Sequence, residues 1–200
     1  MRKSIIAILM TFCLSIMTYA QTPRDRATEL KEQAQSSLNQ KDYIKARYLF
    51  KKAYEAFATR ENYPQAIECG VQANALYVRE NFYKEGFELC RDMDQLIWAG
   101  EQNQKKVFYD LRFLVNKERL QIYTALKNPA QAKTQLNKLE ETANLAKNDS
   151  LTEVLLYTKA NYYYTFNQNT QGDACFRKLI NQYKEKKDYA KVSDCYKKLI

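Results

Sequence analysis

The feature that most constrains this chain is a spacing of small and apolar residues that occurs four times. A small residue comes three positions after an opening residue, an apolar residue follows four positions later, and a fourth member follows after three more. These steps place all four residues on one face of a helix. A lone helical hairpin cannot bury such a face, so the pattern predicts stacked hairpins. The four copies are Tyr43-Ala46-Phe50-Ala53, Tyr83-Gly86-Cys90-Met93, Pro129-Ala132-Leu136-Leu139 and Gly172-Cys175-Leu179-Gln182.

The composition favours an all-α fold. The 200 residues include only four Gly and three Pro, and Pro64 and Pro129 come where a helix would begin, the position that tolerates proline best. Residues that favour helices dominate, and runs of β-branched residues, which would predict strands, are absent. We predict hairpins over residues 24–60, 64–100, 105–148 and 151–187, with a fifth that opens at Asp188.

The repeated spacing resembles the second helix of the tetratricopeptide repeat (TPR) family. That helix carries an aromatic, a small, a large apolar and another small residue, which the copy from Tyr43 to Ala53 matches fully. The family's first helix has an aromatic residue six positions, and a small residue nine positions, before the opening aromatic. The resemblance implies a right-handed α-solenoid of antiparallel helical hairpins, about four plus an incomplete fifth. The residues six and nine positions back are Ser37, Tyr77, Tyr123 and Phe166, and Ala34, Asn74, Leu120 and Tyr163.

The spacing between copies differs from that of the family. The opening residues are 40, 46 and 43 positions apart, whereas the usual TPR period is about 34. The helices are therefore expected to be longer, or the loops looser, than in a standard repeat.

The first twenty residues have the pattern of a secretory signal peptide. Arg2 and Lys3 precede an apolar run over residues 5–17, and Thr18-Tyr19-Ala20 offers small residues at the two positions that signal peptidase reads. The run is shorter than the ~20 apolar residues of a spanning helix, which disfavours the alternative of an uncleaved anchor. We therefore predict a signal peptide (residues 1–20) and an exported repeat domain (residues 21–200).

The last residues suggest that the chain is part of a longer protein. The helical stripe from Tyr189 to Ile200 is followed by no helix stop signal. A signal peptide followed by long-period hairpins, with segments such as Asn62-Tyr63-Pro64-Gln65-Ala66, resembles the N-terminal region of certain bacterial membrane regulators. In those proteins an extracytoplasmic TPR array precedes a transmembrane helix and a part related to sensor histidine kinases. The resemblance implies a periplasmic or extracytoplasmic location, and membrane attachment through a segment beyond residue 200.

The sequence contains no recognisable catalytic, cofactor-binding or metal-binding set. The chain has no His, which excludes His-based triads and HExxH zinc sites. Its four scattered glycines form no phosphate-binding loop, and its cysteines lack metal-ligand spacing. We predict that Cys90 and Cys175 are core residues, and a Cys69–Cys90 disulfide is the alternative for the first of them. We expect neither enzymatic activity nor a cofactor in this segment.

The segment Asn148-Asp149-Ser150-Leu151 predicts a helix start near Leu151, capped by Asp or Ser. It also resembles the Asp-Ser-apolar sequence that some bacteria O-glycosylate on exported proteins.

The TPR resemblance predicts a binding groove, because the first helices of such arrays line the concave surface. The formal charge is +9, or +7 without Arg2 and Lys3, which fits a solvated basic surface, an acidic peptide ligand or an anionic envelope polymer. Export argues against nucleic acid as a partner. The candidate groove residues are Lys31, Gln35, Val71, Lys117, Gln121, Tyr157, Tyr164 and Asn167.

The predicted function is binding of a protein or peptide, as the input region of a larger membrane signalling protein. One alternative is a helical scaffold of a cell-envelope enzyme. Another is an outer-surface nutrient-binding protein, although Cys13 lacks the preceding small-residue box of lipid-anchored proteins. Self-association is a further option.

Overall fold

The computed structural model describes residues 25–199, and the predicted signal peptide lies outside them. This part of the chain is helical and contains no strand. Each helix packs against the next one along the chain, so the predicted all-α fold of consecutively packed helices is confirmed. The helices are α1 (Arg26–Asn39), α2 (Tyr43–Ala58), α3 (Tyr63–Arg79), α4 (Tyr83–Gln104), α5 (Tyr109–Ala125), α6 (Pro129–Ala146), α7 (Asp149–Thr165), α8 (Asn169–Glu185) and α9 (Tyr189–Tyr196).

The turns between helices share a left-handed residue. Each turn has one residue with φ between 50° and 64°, and none of these residues within 25–199 is glycine. In six turns the N–H of this residue bonds the carbonyl three residues back, and the next N–H bonds the carbonyl five residues back. This is the Schellman closure of a helix C-terminus. The left-handed residues are Lys41, Glu61, Asn81, Lys105, Lys127, Lys147, Asn167 and Lys187.

In those six turns, the residue after the left-handed one is also the N-cap of the next helix. Asp42, for example, accepts a hydrogen bond from the N–H of Lys45 at 3.2 Å. The N-caps recur every 20 residues from Asp42 to Phe82 and again from Phe108 to Asp188. Between Phe82 and Phe108 the interval is 26 residues, because α4 has 22 residues, more than any other helix within residues 25–199. This insertion accounts for the 46-residue spacing in the sequence.

The fourth copy of the spacing begins three residues earlier than we predicted. Relative to the N-cap, the counterpart of Pro129 is Asn169 rather than Gly172. The correct copy is therefore Asn169-Gly172-Phe176-Leu179, whose last three members are buried, whereas the predicted Gln182 is only half-buried. The prediction was wrong because Gly172 and Cys175 are both small and lie three residues apart, so either one fits the second position.

Small residues mark the places where helices approach closely. A Cβ on Gly86 of α4 would lie 3.0 Å from Asn74 Oδ1 on α3 and 3.2 Å from Ile122 Cδ1 on α5. A Cβ on Gly172 of α8 would lie 3.0 Å from the ring of Tyr164 on α7. Three apolar clusters run along the array, the first over α1–α5, the second over α5–α7 and the third over α7–α9.

The left-handed turns predict where glycine would stabilise the protein. Lys41 is exposed and has φ of 63°, a conformation that is strained for a residue with a Cβ. We expect Lys41→Gly to raise the free energy of unfolding by about 0.5–1 kcal/mol, as measured by urea unfolding followed by circular dichroism. Lys51→Gly is the control, because Lys51 is exposed in the middle of α2 and should lose about 1 kcal/mol. Destabilisation by both substitutions would contradict the prediction.

Candidate functional site

The candidate site is a cavity of about 550 Å³ that spans α3, α5 and α7. Besides its neighbours in sequence, α5 packs against both α3 and α7, so these three helices form one continuous face. We call it the α3–α5–α7 face. The residues that line this cavity include Val78 from α3, Lys117, Gln121 and Thr124 from α5, Lys127 from the following turn, and Val154, Tyr157 and Asn161 from α7.

Three of the eight candidate groove residues line this cavity, namely Lys117, Gln121 and Tyr157. They come from helices 5 and 7, and the structure brings them together although 40 residues separate the first from the last. The corrected register of the fourth copy adds two further residues at equivalent positions, Val154 and Asn161, which also line the cavity.

The candidates on α1 and α3 lie outside the cavity. Lys31 Nζ donates to Gln65 Oε1 at 2.8 Å and to Glu68 Oε2 at 2.6 Å, so its charge is neutralised within the protein. Gln35 is exposed and bonds Asn39 on its own helix. Val71 is half-buried and packs against the first apolar cluster.

The last two candidates on the fourth hairpin have local structural contacts. The Tyr164 hydroxyl donates to Asp173, and its ring stacks on Phe176 with centroids 5.9 Å apart, so Tyr164 faces α8. Asn167 lies beyond the end of α7, as the left-handed residue of the α7–α8 turn. Its placement on the helix was wrong, because it followed from the misplaced fourth copy.

The cavity is basic and mixes apolar, amide and hydroxyl groups. Its lining includes the lysines Lys117 and Lys127 and no carboxylate. Tyr157 is 41 % exposed and rests edge-on against Phe176, with ring centroids 5.5 Å apart. A surface of this kind can hold an anionic group while an aromatic ring and amides contact an adjoining chain.

A buried polar pair lies next to the cavity, where α3 meets α5. Glu118 is 1 % exposed and Asn74 is fully buried. Asn74 Nδ2 donates to Glu118 Oε2 at 3.1 Å, whereas Asn74 Oδ1 has no hydrogen-bond partner. Burial raises the pKa of the Glu118 carboxyl, and the opposing effects of Lys117 and Asn74 are smaller. Asn74 could be recognised from the sequence as unusual, because it occupies a position where TPR proteins have a small residue. Nothing in the sequence distinguishes Glu118 from an exposed Glu on a helix.

Two further cavities, which the sequence did not predict, lie beside α4 and the loop that follows it. One, of about 800 Å³, lies between the α2–α3 turn and the α4–α5 loop. The other, of about 480 Å³, lies among α4, α5 and α6 beside Trp98, which is 63 % exposed. Glu101 fixes this region, because it accepts hydrogen bonds from the N–H of Phe108 at 2.8 Å and from Arg112 Nε at 2.7 Å.

The cysteines are structural. All four within residues 25–199 are free and buried, so the alternative Cys69–Cys90 disulfide does not form, and the prediction of Cys90 and Cys175 as core residues is confirmed. Burial raises the pKa of the Cys69 and Cys90 thiols to about 12, which keeps both protonated at neutral pH.

The start of α7 differs from the one that the sequence predicted. Asn148, rather than Asp149 or Ser150, caps α7, whose first residue is Asp149, and Ser150 is exposed.

Within residues 25–199 no group of three or more His, Cys, Asp or Glu side chains is arranged to hold a metal ion. None of the helices in this range combines the length and apolar character needed to cross a membrane.

The sequence matches no known protein-family model, and no curated protein is significantly similar to it.

Proposed function

We propose that this chain is an exported TPR-like module that binds a protein or peptide on its α3–α5–α7 face. In this proposal the helices form a right-handed solenoid of four hairpins and the start of a fifth, with the odd-numbered helices on the inner surface. The contacts of α5 with both α3 and α7 support this arrangement, since first helices of successive repeats adjoin in such arrays. The signal-like leader and the resemblance to membrane regulators support a role as an extracytoplasmic input region.

The cavity across three helices is the observation that carries the proposal. An extended or helical peptide laid across the helices would contact each in turn, and amide side chains such as Gln121 and Asn161 can bond its backbone. Tyr157 offers an exposed aromatic anchor, a residue type common at interface hot spots. The two lysines and the absence of lining carboxylates favour an acidic peptide.

Charge reversal at the cavity tests this proposal. The probe is a fluorescein-labelled peptide of four Glu-Leu repeats, and binding to residues 21–200 is measured by fluorescence anisotropy. We expect the double variant Gln121→Glu, Lys127→Glu to bind about tenfold or more weakly, a change of about 1.4 kcal/mol. Gln121 and Lys127 are exposed, and the structure shows no ion pair or side-chain hydrogen bond for either, so the variant should fold normally.

The matched control carries the same charge change on another surface. Lys84 and Gln95 are exposed on α4 and do not line the cavity. The variant Lys84→Glu, Gln95→Glu should bind the probe within about twofold of the original protein, since these residues do not contact a ligand in the cavity and exposed charges are screened at physiological salt. Equal losses in both variants would refute the assignment of the site, and no binding by the unmodified protein would refute the proposed ligand class.

A further inference from the structure

Two oppositely charged neighbours on α5 have very different environments at the cavity. Lys117 lines the cavity and its side chain is 20 % exposed, whereas Glu118 faces the α3–α5 contact with its side chain 1 % exposed. Their charged atoms, Lys117 Nζ and Glu118 Oε1, are 3.4 Å apart. The cavity lysine therefore has a buried counter-ion behind it.

The groups around Glu118 leave Lys117 as its ionic partner. From α3, Asn74 donates to the second carboxylate oxygen, and its own Oδ1 lacks a partner. From α4, the protonated thiol of Cys90 adds no charge of its own at neutral pH. The guanidinium of Arg119, the next residue on α5, is directed to the carbonyl of Cys90 at 3.1 Å and to Asp94.

We propose that Glu118 is a positioning residue that holds and neutralises Lys117 while ionised, and frees Lys117 for an anionic ligand when it takes up a proton. This inference rests on the proposed function and adds regulation by pH to the same site. The burial of Glu118 and its single ionic partner carry it, since a buried carboxylate whose pKa is raised becomes neutral under milder acidity than an exposed one.

The charge of the cavity differs between the ionised and the protonated state of Glu118. In the ionised state Lys117 and Glu118 cancel, and Lys127 is the uncompensated lysine of the cavity lining. In the protonated state the carboxyl can donate its proton as a hydrogen bond, and Lys117 adds a full positive charge to the cavity. By linkage, an anion that attracts Lys117 must also favour proton uptake by Glu118.

The test uses a probe whose charge does not change with pH. An unlabelled peptide with blocked termini and cysteic acid in place of each Glu of the Glu-Leu probe keeps the same charge from about pH 5 to about pH 8, and its affinity is measured by calorimetry. We expect residues 21–200 to bind it about fivefold more tightly at the acidic end. Calorimetry in buffers of different ionisation enthalpy should show proton uptake on binding.

Two variants separate positioning from a merely structural role. Glu118→Gln should bind at pH 8 as tightly as the original protein does at pH 5, and its affinity should not change with pH. The double variant Lys117→Gln, Glu118→Gln should be equally insensitive to pH but weaker throughout. A purely structural role would leave the pH profile of Glu118→Gln the same as that of the unmodified protein, and that result would overturn the inference.

The titration of Glu118 itself distinguishes failure of the inference from failure of the proposed function. Carboxyl carbon chemical shifts from NMR follow this group in the free protein. Titration at or below the ordinary value of a Glu would overturn the inference, whether or not the peptide binds. Absence of binding at every pH would overturn both the proposed ligand class and its regulation.

Discussion

Replacing Phe176 with Ala should lower the free energy of unfolding by about 3–5 kcal/mol. Phe176 is fully buried in the third apolar cluster, between α7 and α8. Its ring is 5.5 Å from that of Tyr157 and 5.9 Å from that of Tyr164, measured between centroids. The substitution removes both aromatic contacts and leaves a cavity that the packed helices cannot fill.

Urea unfolding followed by circular dichroism measures this loss. Because helical arrays are stabilised mainly by neighbouring units, hydrogen exchange should show the loss of protection to be largest in α7–α9. Tyr48→Ala is the control, since Tyr48 is 60 % exposed on α2 and its removal should change the free energy of unfolding by about 0.5 kcal/mol or less. A loss below about 1 kcal/mol for Phe176→Ala would show that this part of the array is not packed as described.

The same substitution reaches the candidate site. Phe176 supports the ring of Tyr157, which lines the cavity of the α3–α5–α7 face. In Phe176→Ala that ring loses its edge-on contact. The acidic Glu-Leu probe should therefore bind more weakly even under conditions in which the variant is folded.

Glu118→Gln should raise the free energy of unfolding by about 1–3 kcal/mol at pH 8, and change it little near pH 4. Burial raises the pKa of the Glu118 carboxyl in the folded protein above its value in the unfolded chain. The folded state therefore binds this proton more strongly, and stability falls as the pH rises from the unfolded value through the folded one. A Gln at this position has no charge to bury, and its amide can donate to the unpaired Asn74 Oδ1.

Thermal unfolding at several pH values tests the sign of this effect. A gain of 1 kcal/mol corresponds to a rise in the melting temperature of about 2–4 °C for a chain of this size. Glu88→Gln on α4 is the control, because Glu88 is exposed and its neutralisation should have little effect at any pH. Equal stabilisation by Glu118→Gln at pH 4 and pH 8 would contradict the role of the buried charge.

The local pattern of the sequence was sufficient to predict the helices and much of the packing. Apolar periodicity and the helix starts at Pro64 and Pro129 agree with the structure. The cavity residues Lys117, Gln121 and Tyr157 followed from counting along the repeat. Such counting fails where two small residues lie three positions apart, and it placed the fourth copy too late at Gly172.

Other features depend on contacts that one segment cannot encode. Glu118 is buried because Asn74, 44 residues earlier, meets it across the α3–α5 contact. Six of the eight left-handed turn residues within 25–199 are Lys or Glu rather than Gly or Asn, so the usual helix stop signal is missing at those turns. The two cavities beside α4 are lined by residues from several helices and turns, so they depend on how α5 packs against α4.

The common geometry of the turns has a consequence for how such a gene can evolve. The Schellman closure ending α5 and that ending α7 are equivalent, and the N-caps that follow them, Asn128 and Gln168, are 40 residues apart. In-frame loss or duplication of a segment between two such caps would join a helix to a turn with the same pattern of backbone hydrogen bonds. The array can therefore lengthen or shorten by whole hairpins through recombination, without a new joint having to be selected at each step.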